Sequence, residues 1–272
     1  MPASPEPLKA IIAAGSGYGK TGALWSLAAA GFNLKIFDSD RGTNILRSAL
    51  RDNPAALSRV QVESFTNRLR GNKAGFLVGK GSPDAWPRAL GALDKFPQGG
   101  SIYDWGPDTV VVIDSLSMFG RQALLYAMHV DSKSGRQPEI QHYGYAMSQL
   151  EGMMALLYGD DVQCHVLILT HVSIERTKEG EFIGAFPMSL GKANNDVIPR
   201  YVNNVLTIKL SGLGPKAKRY LSTRPTSNQM ATKIEELASK EEYLLTDGVI
   251  PKPGLAEFFH DCGWPAINGA SK

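Results

Sequence analysis

Cysteine is scarce in this sequence. The two present in 272 residues, Cys164 and Cys262, are too few and too isolated for a disulfide framework or a metal site. Both read as small apolar packing residues, which fits a reducing, cytoplasmic setting. Long apolar runs are missing as well. TVVVI and HVLIL have the length of buried strands and fall far short of the roughly 20 residues that cross a bilayer, so no membrane partner is expected. Neither end resembles a secretory signal, and MPASPEP and INGASK read as short flexible pieces. There is also no excess of one charge. A formal net charge of +3 is too small to mark a nucleic-acid binder by composition, so such a footprint has to come from local clusters. No repeat at a fixed period and no low-complexity block occurs, which argues against solenoids and arrays.

What is present suffices for a full core. A hydrophobic content of 43% over this length buries one large α/β domain, or a domain with a small appendage. LKAIIAA, LKIF, VQVESF, TVVVID, HVLILT and VNNVLTIKL are strand candidates that alternate with helical stretches, the pattern of a mainly parallel sheet flanked by helices. Helices are expected at Lys20 to Ala30, SPDAWPRALGALDKF and HYGYAMSQLEGMMALLYG. On the last, Tyr145, Leu150, Met153, Met154 and Leu157 fall largely on one stripe and read as core. DSKSGRQPE at 131–139 and the stretch 175–196 are rich in Gly, Ser, Pro and charge and read as loops. Beyond Leu221 the pattern weakens and reads as a small helical appendage. The expected division is a flexible N-terminus over 1–7, a core over 8–225, and an appendage with its tail over 226–272.

Ala14 to Thr21 writes AGSGYGKT between an apolar strand and a helical run, the context a phosphate loop requires. Gly15, Gly17 and Gly19 free the backbone where N–H groups must curl around a phosphate, with Ser16, Tyr18 and Gly22 completing the stretch. Ala14 departs from the strict glycine pattern, at the strand end farthest from the phosphate. Lys20 would reach the β- and γ-phosphates of ATP, and Thr21 would place its hydroxyl on Mg²⁺. TVVVIDS delivers Asp114 at a strand's C-terminal end as the second magnesium carboxylate, with Ser115 beside it to help order water. LKIFDSDRG sets Asp38 and Asp40 just beyond another strand, and one of them is the expected general base; a capped turn is the competing reading. HVLILTH puts Thr170 and His171 at a strand tip, where a polar side chain can meet the γ-phosphate.

With these residues assembled, the chain resembles the RecA-like ATPases, specifically the compact phage-encoded type related to core-only recombinases and single-strand annealing proteins. The resemblance covers most of residues 8–225. It implies an Mg²⁺-dependent ATPase coupled to single-stranded DNA in recombination, annealing or replication. By the resemblance, the D-x-E acid of the family maps onto Asp40, with aspartate shortening the reach. IDS at 113–115 resembles the magnesium strand and LTH at 169–171 the phosphate-sensing strand end, His171 included. Loops facing DNA would map onto Lys133 and Arg136, and onto Arg176, Lys178, Lys192 and Arg200. The resemblance also implies a ring or filament, to which a single-strand binding protein is a further candidate partner. Its neighbouring subunit would lend a basic residue; GPKAKRYLSTR offers Lys216, Lys218 and Arg219, with Lys218 and Arg219 favoured. A small-molecule kinase using Lys20, Thr21 and Asp114, or a nucleotide-controlled scaffold with little hydrolysis, remain the alternatives.

Overall fold

The computed structural model describes residues 6–71, 73, 77–79, 81–134, 136–191, 195, 197–202, 204–224 and 240–267. Its strands, in chain order, are β1 (Lys9–Ala13), β2 (Asn33–Asp38), β3 (Val60–Ser64), β4 (Leu69–Gly71), β5 (Leu77–Gly79), β6 (Thr109–Asp114), β7 (His165–Thr170), β8 (Val172–Arg176), β9 (Phe182–Pro187), β10 (Asn204–Ser211), β11 (Lys218–Ser222), β12 (Glu242–Asp247) and β13 (Ile250–Pro251). The helices are α1 (Lys20–Ala23), α2 (Trp25–Ala29), α3 (Asn44–Ala49), α4 (Pro54–Leu57), α5 (Ala85–Asp94), α6 (Leu116–Val130), α7 (Ile140–Leu157) and α8 (Gly254–Asp261).

One large sheet runs in the order β13-β12-β11-β10-β1-β7-β6-β2-β3. From β10 to β3 every neighbour is parallel, while β11, β12 and β13 are added antiparallel. A mostly parallel sheet with helices on both faces is the architecture expected of a RecA-like P-loop core. β6 and β7 are buried at all six of their positions, because both faces are covered and no polar alternation is called for. Side chains of β1 alternate between the two cores: Ile11 and Ala13 join the layer under α5, α6 and α7, and Ala10 and Ile12 join the layer under α2 and α8. Aromatic packing consolidates the first layer, where Phe37 stacks on Phe65 at 5.3 Å between centroids. Full burial of each such ring contributes roughly 1.5–3 kcal/mol.

Three local expectations are corrected. The helix read from Lys20 to Ala30 is two short pieces meeting at Leu24. Half of the loop expected over 175–196 is the antiparallel β8–β9 hairpin. The C-terminal stretch, expected as a helical appendage, supplies β12 and β13 to the main sheet, and α8 buries Leu255, Phe258 and Phe259 in the same core as β1 and β2. Helix α6, LSMFGRQALLYAMHV, follows β6 directly and was not among the expected helices.

Candidate functional site

The C-terminal edge of the parallel strands gathers the predicted residues. β1 ends in the glycine-rich loop, where Gly17 and Gly19 adopt φ of 76° and 91°, a left-handed backbone that side chains disfavour. Gly15 packs against Tyr18: a Cβ there would lie 2.8 Å from the ring, which would have to shift. Ala14 directly follows β1 and still packs as the strand does. Its N–H donates to Thr170 O at 3.1 Å, and its methyl is buried in the apolar layer.

Lys20 is buried and folds back into the loop, its Nζ donating to Ala14 O at 2.9 Å and Gly15 O at 3.1 Å. Burial lowers its pKa below the ordinary lysine value, opposed by the charges of Asp114 and Asp40. Thr21 Oγ1 donates to Asp114 Oδ2 at 2.6 Å, so the two oxygens predicted to hold magnesium already meet. Burial pushes the Asp114 carboxyl up to about 6; Asp40 and Asp38 add to the rise, and the Thr21 hydrogen bond and Lys20 oppose it. Oxygen donors few in number suit Mg²⁺, which keeps several waters and binds substrate phosphates. Thr21 and Asp114 fit that pattern, and no cluster of three or more His, Cys, Asp or Glu offers a competing metal cage among the described residues.

The two aspartates at the end of β2 and just beyond it have separated roles in the structure. Asp38 is buried; its Oδ1 accepts the N–H groups of Asp40 at 2.9 Å and Arg41 at 2.6 Å, and its Oδ2 accepts from Thr43 Oγ1 at 3.1 Å. It therefore holds the turn. Asp40 is exposed, and its charge acts on Lys20, Asp114 and His171 alike. The same turn brings Gly42 against the loop threonine: a Cβ on Gly42 would lie 3.6 Å from Thr21 Oγ1.

His171 stands at the exit of β7, with Nδ1 2.8 Å from Ser117 Oγ, which is 3.1 Å from Ser115 Oγ. Burial and the charge of Lys20 lower its pKa, opposed by Asp40, so the ring is neutral near pH 7. Its carbonyl accepts the N–H of Met188 at 2.7 Å, clasping the foot of the β8–β9 hairpin to the phosphate-facing strand end. Ser39 was missed by sequence reasoning. Its Oγ donates to Ser115 O at 3.1 Å and accepts Ser115 N–H at 3.2 Å, stitching the tips of β2 and β6 together. Only its position between the two aspartates could have pointed to it.

The basic residues are not brought into one place. Lys218 and Arg219 are neighbours on β11 and so point to opposite faces. Lys218 pairs with Asp247 at 3.2 Å. Arg219 lies against the phosphate loop of its own chain: a Cβ on Gly19 would sit 3.2 Å from Arg219 Cδ, and Arg219 Nε is buried with no hydrogen-bond partner among the described residues. Lys216 is exposed in the short turn Gly214–Lys216. Lys133 pairs with Glu139 at 3.0 Å and Arg136 is exposed. Arg176 Nη1 donates to Gly180 O at 3.0 Å within the hairpin, Lys178 is exposed in the turn between β8 and β9, and Arg200 is exposed in the turn Ile198–Tyr201. Lys192 lies outside the described residues.

Among the described residues no helix is long and apolar enough to cross a membrane. A search of curated proteins found no match. Solved structures similar to this chain include the flagellar accessory protein FlaH from Methanocaldococcus jannaschii, at 12% identity over 92% of this chain and 88% of that one, TM-score 0.43. The RadB recombinase is similar at 13% identity over 89% and 90%, TM-score 0.45. A KaiC-like protein from Pyrococcus horikoshii OT3 follows at 14% identity over 92% and 91%, TM-score 0.45. A family model described as an AAA domain, AAA_24, matches residues 6–233, which takes in the glycine loop, Asp40, Asp114, His171 and β11. The chain belongs to this AAA-domain family and is a P-loop ATPase with a RecA-like fold.

Proposed function

We propose that the protein is an Mg²⁺-dependent ATP hydrolase of the compact phage type. Its nucleotide state governs binding to single-stranded DNA in recombination, annealing or replication, and it works as a ring or filament of identical subunits. The observation that carries the ATPase reading is the 2.6 Å contact of Thr21 with Asp114 beside the buried Lys20, with the charge of the exposed Asp40 acting on Lys20, Asp114 and His171. In this reading Lys20 leaves the carbonyls of Ala14 and Gly15 and turns to the β- and γ-phosphates. Thr21 and Asp114 hold Mg²⁺, which when bound neutralises phosphate charge. Asp40 orients a water and accepts its proton as the water oxygen bonds to the γ-phosphorus and the bond to the β-phosphate oxygen breaks, leaving ADP and phosphate. His171 and Ser117 sense the γ-phosphate, and Arg219 adds a positive charge from the same chain.

The DNA half of the proposal is supported by the clasp between His171 and Met188, which joins the phosphate-facing strand end to the hairpin that carries Arg176 and Lys178. Phosphate release measured with and without single-stranded oligonucleotide, in the parent and in Lys20→Ala, tests both halves. Turnover is expected in the parent, absent in Lys20→Ala, and raised by the strand. Undiminished turnover in a folded Lys20→Ala chain overturns the ATPase reading. Fluorescence anisotropy should show tighter strand binding with ATP than with ADP, weakening with salt by a slope of about −0.7 for each phosphate neutralised. Neutralising Arg176 and Lys178 together should flatten that slope and leave ATP affinity nearly unchanged. No strand affinity in any nucleotide state, even at low salt, removes the DNA half.

A further inference from the structure

Arg41, Arg68 and Arg121 line one open cleft of about 570 Å³ on the catalytic edge of the sheet. Among the described residues none of the three pairs with a carboxylate, whereas nearby Arg88 reaches both Asp84 and Glu63. The cleft is held in shape rather than left to chance. Arg41 has φ of 58°, a left-handed backbone that a long side chain avoids. Asp38 fixes it there through the Arg41 N–H, and Thr66 Oγ1 accepts from its Nε and Nη2 at 3.3 and 3.0 Å. Asn67 donates to Gln122 at 2.8 Å and accepts the Ala85 N–H at 3.0 Å, tying the segment after β3 to α6 and α5. Met118 and Leu125, two turns apart on α6, supply apolar surface, and Asp40 stands on the wall nearest the phosphate loop.

Guanidinium groups with no carboxylate partner beside apolar surface match a ligand that is anionic at one end and flat and apolar at the other. Arginine suits the anionic end because its fork meets phosphate oxygens in pairs. We propose that this cleft is a second nucleotide site, distinct from the ATP site, that takes one nucleotidyl unit: its phosphate on Arg41, Arg68 and Arg121, its base against Met118 and Leu125. The volume lies within the range of small-ligand clefts. A free nucleoside monophosphate and one residue of a single strand bring the same chemistry. The inference rests on the hydrolase reading only for its consequence, that an occupied cleft sets a phosphate charge beside Asp40 and so alters turnover.

The test uses the full chain as the parent, as Arg68→Gln/Arg121→Gln, and as Lys20→Ala. The probes are a labelled oligothymidylate, thymidine and adenosine monophosphates, and inorganic phosphate. Parent and Lys20→Ala chains are expected to bind the strand or a monophosphate better than inorganic phosphate. The double variant should bind them about tenfold more weakly, the worth of one charge-assisted hydrogen bond, and its salt slope should be shallower by about 0.7 for each strand phosphate that it no longer neutralises. Its ATP affinity should match the parent's, since both arginines are exposed and the lining of their cleft includes no residue of the glycine loop. If the double variant fails to fold, Arg121→Gln alone, on the surface of α6, carries the comparison. Binding of the strand only, or of monophosphates only, identifies the source and supports the site. A double variant that binds every probe as the parent does, or a parent that binds none of them, overturns it. A parent chain that binds no ATP yet keeps cleft binding sinks the hydrolase reading and leaves the cleft standing.

Discussion

Two aspartates two positions apart illustrate how much a single residue's surroundings decide. Asp38 spends both carboxylate oxygens on the turn, accepting two N–H groups and a hydroxyl, while Asp40 projects its charge into the site. Asp40→Asn is therefore expected to keep ATP affinity and lower turnover by about 10²- to 10⁴-fold, the usual worth of general acid–base help. Asp38→Asn should act mainly on stability, seen as a lower unfolding midpoint in urea. Normal turnover in Asp40→Asn with a collapse in a well-folded Asp38→Asn would reverse the two roles.

Asp114 carries a different consequence at the same scale. Its folded pKa, about 6 against 3.8 for the free group, means that the folded chain holds the proton more tightly than the unfolded one. Stability without metal or nucleotide then falls as pH rises from about 4 to about 6 and is level beyond, a loss on the order of 3 kcal/mol. Asn at this position keeps an acceptor for Thr21 and has no charge to desolvate. Asp114→Asn should match the parent near pH 4 and exceed it above pH 6 in chemical denaturation. A difference between the two that does not vary with pH would show that the carboxyl is not the group responsible.

At the scale of elements, β11 separates two residues that its sequence runs together. A run of Lys and Arg at a strand start reads as one basic patch, yet alternation sends Lys218 to Asp247 and Arg219 to Gly19 of the same chain. Mixing Arg219→Ala with Lys20→Ala subunits should consequently leave ATP turnover unrecovered, because neither chain can complete a site. Recovery toward a fraction of parental activity in the mixture would show that Arg219 works across subunits. The strands themselves were legible, since β1, β2, β3, β6, β7 and β10 are short apolar runs with no competing periodicity. Helix α6 was not; its glycine, Gly120, marks a close approach, where a Cβ would lie 3.0 Å from Leu190 Cβ. The β8–β9 hairpin was hidden by its charged, Gly-containing turn, which in isolation is indistinguishable from a loop. The glycine loop, Asp114 and the acids after β2 could be read because their spacing is local. The cleft of three arginines could not, as its residues come from three separate segments brought together only by the sheet order.

At the scale of the whole molecule, the candidate site residues gather on one edge of the sheet, and Glu6 and Trp264, near the limits of the described residues, meet at the other. Trp264 Nε1 donates to the carbonyl of Glu6 at 3.2 Å, the N–H of Ile267 reaches Ala30 O at 2.9 Å, and the Trp264 ring packs on His165 at the start of β7. All of these partners precede or begin the parallel strands, whereas the glycine loop, Asp40, Asp114 and His171 follow them. The molecule accordingly has a handle and a working edge. A chain whose two ends are joined by a short flexible linker, with new ends opened in the exposed turn between β8 and β9, should fold and bind ATP with parental affinity in a calorimeter. Loss of ATP binding in that permuted chain would mean that the hairpin, and not the end-to-end contact, holds the site in shape. Fixing the molecule to a surface through the region of Glu6 and Trp264 would leave the nucleotide edge facing outward, free to meet a strand or another subunit.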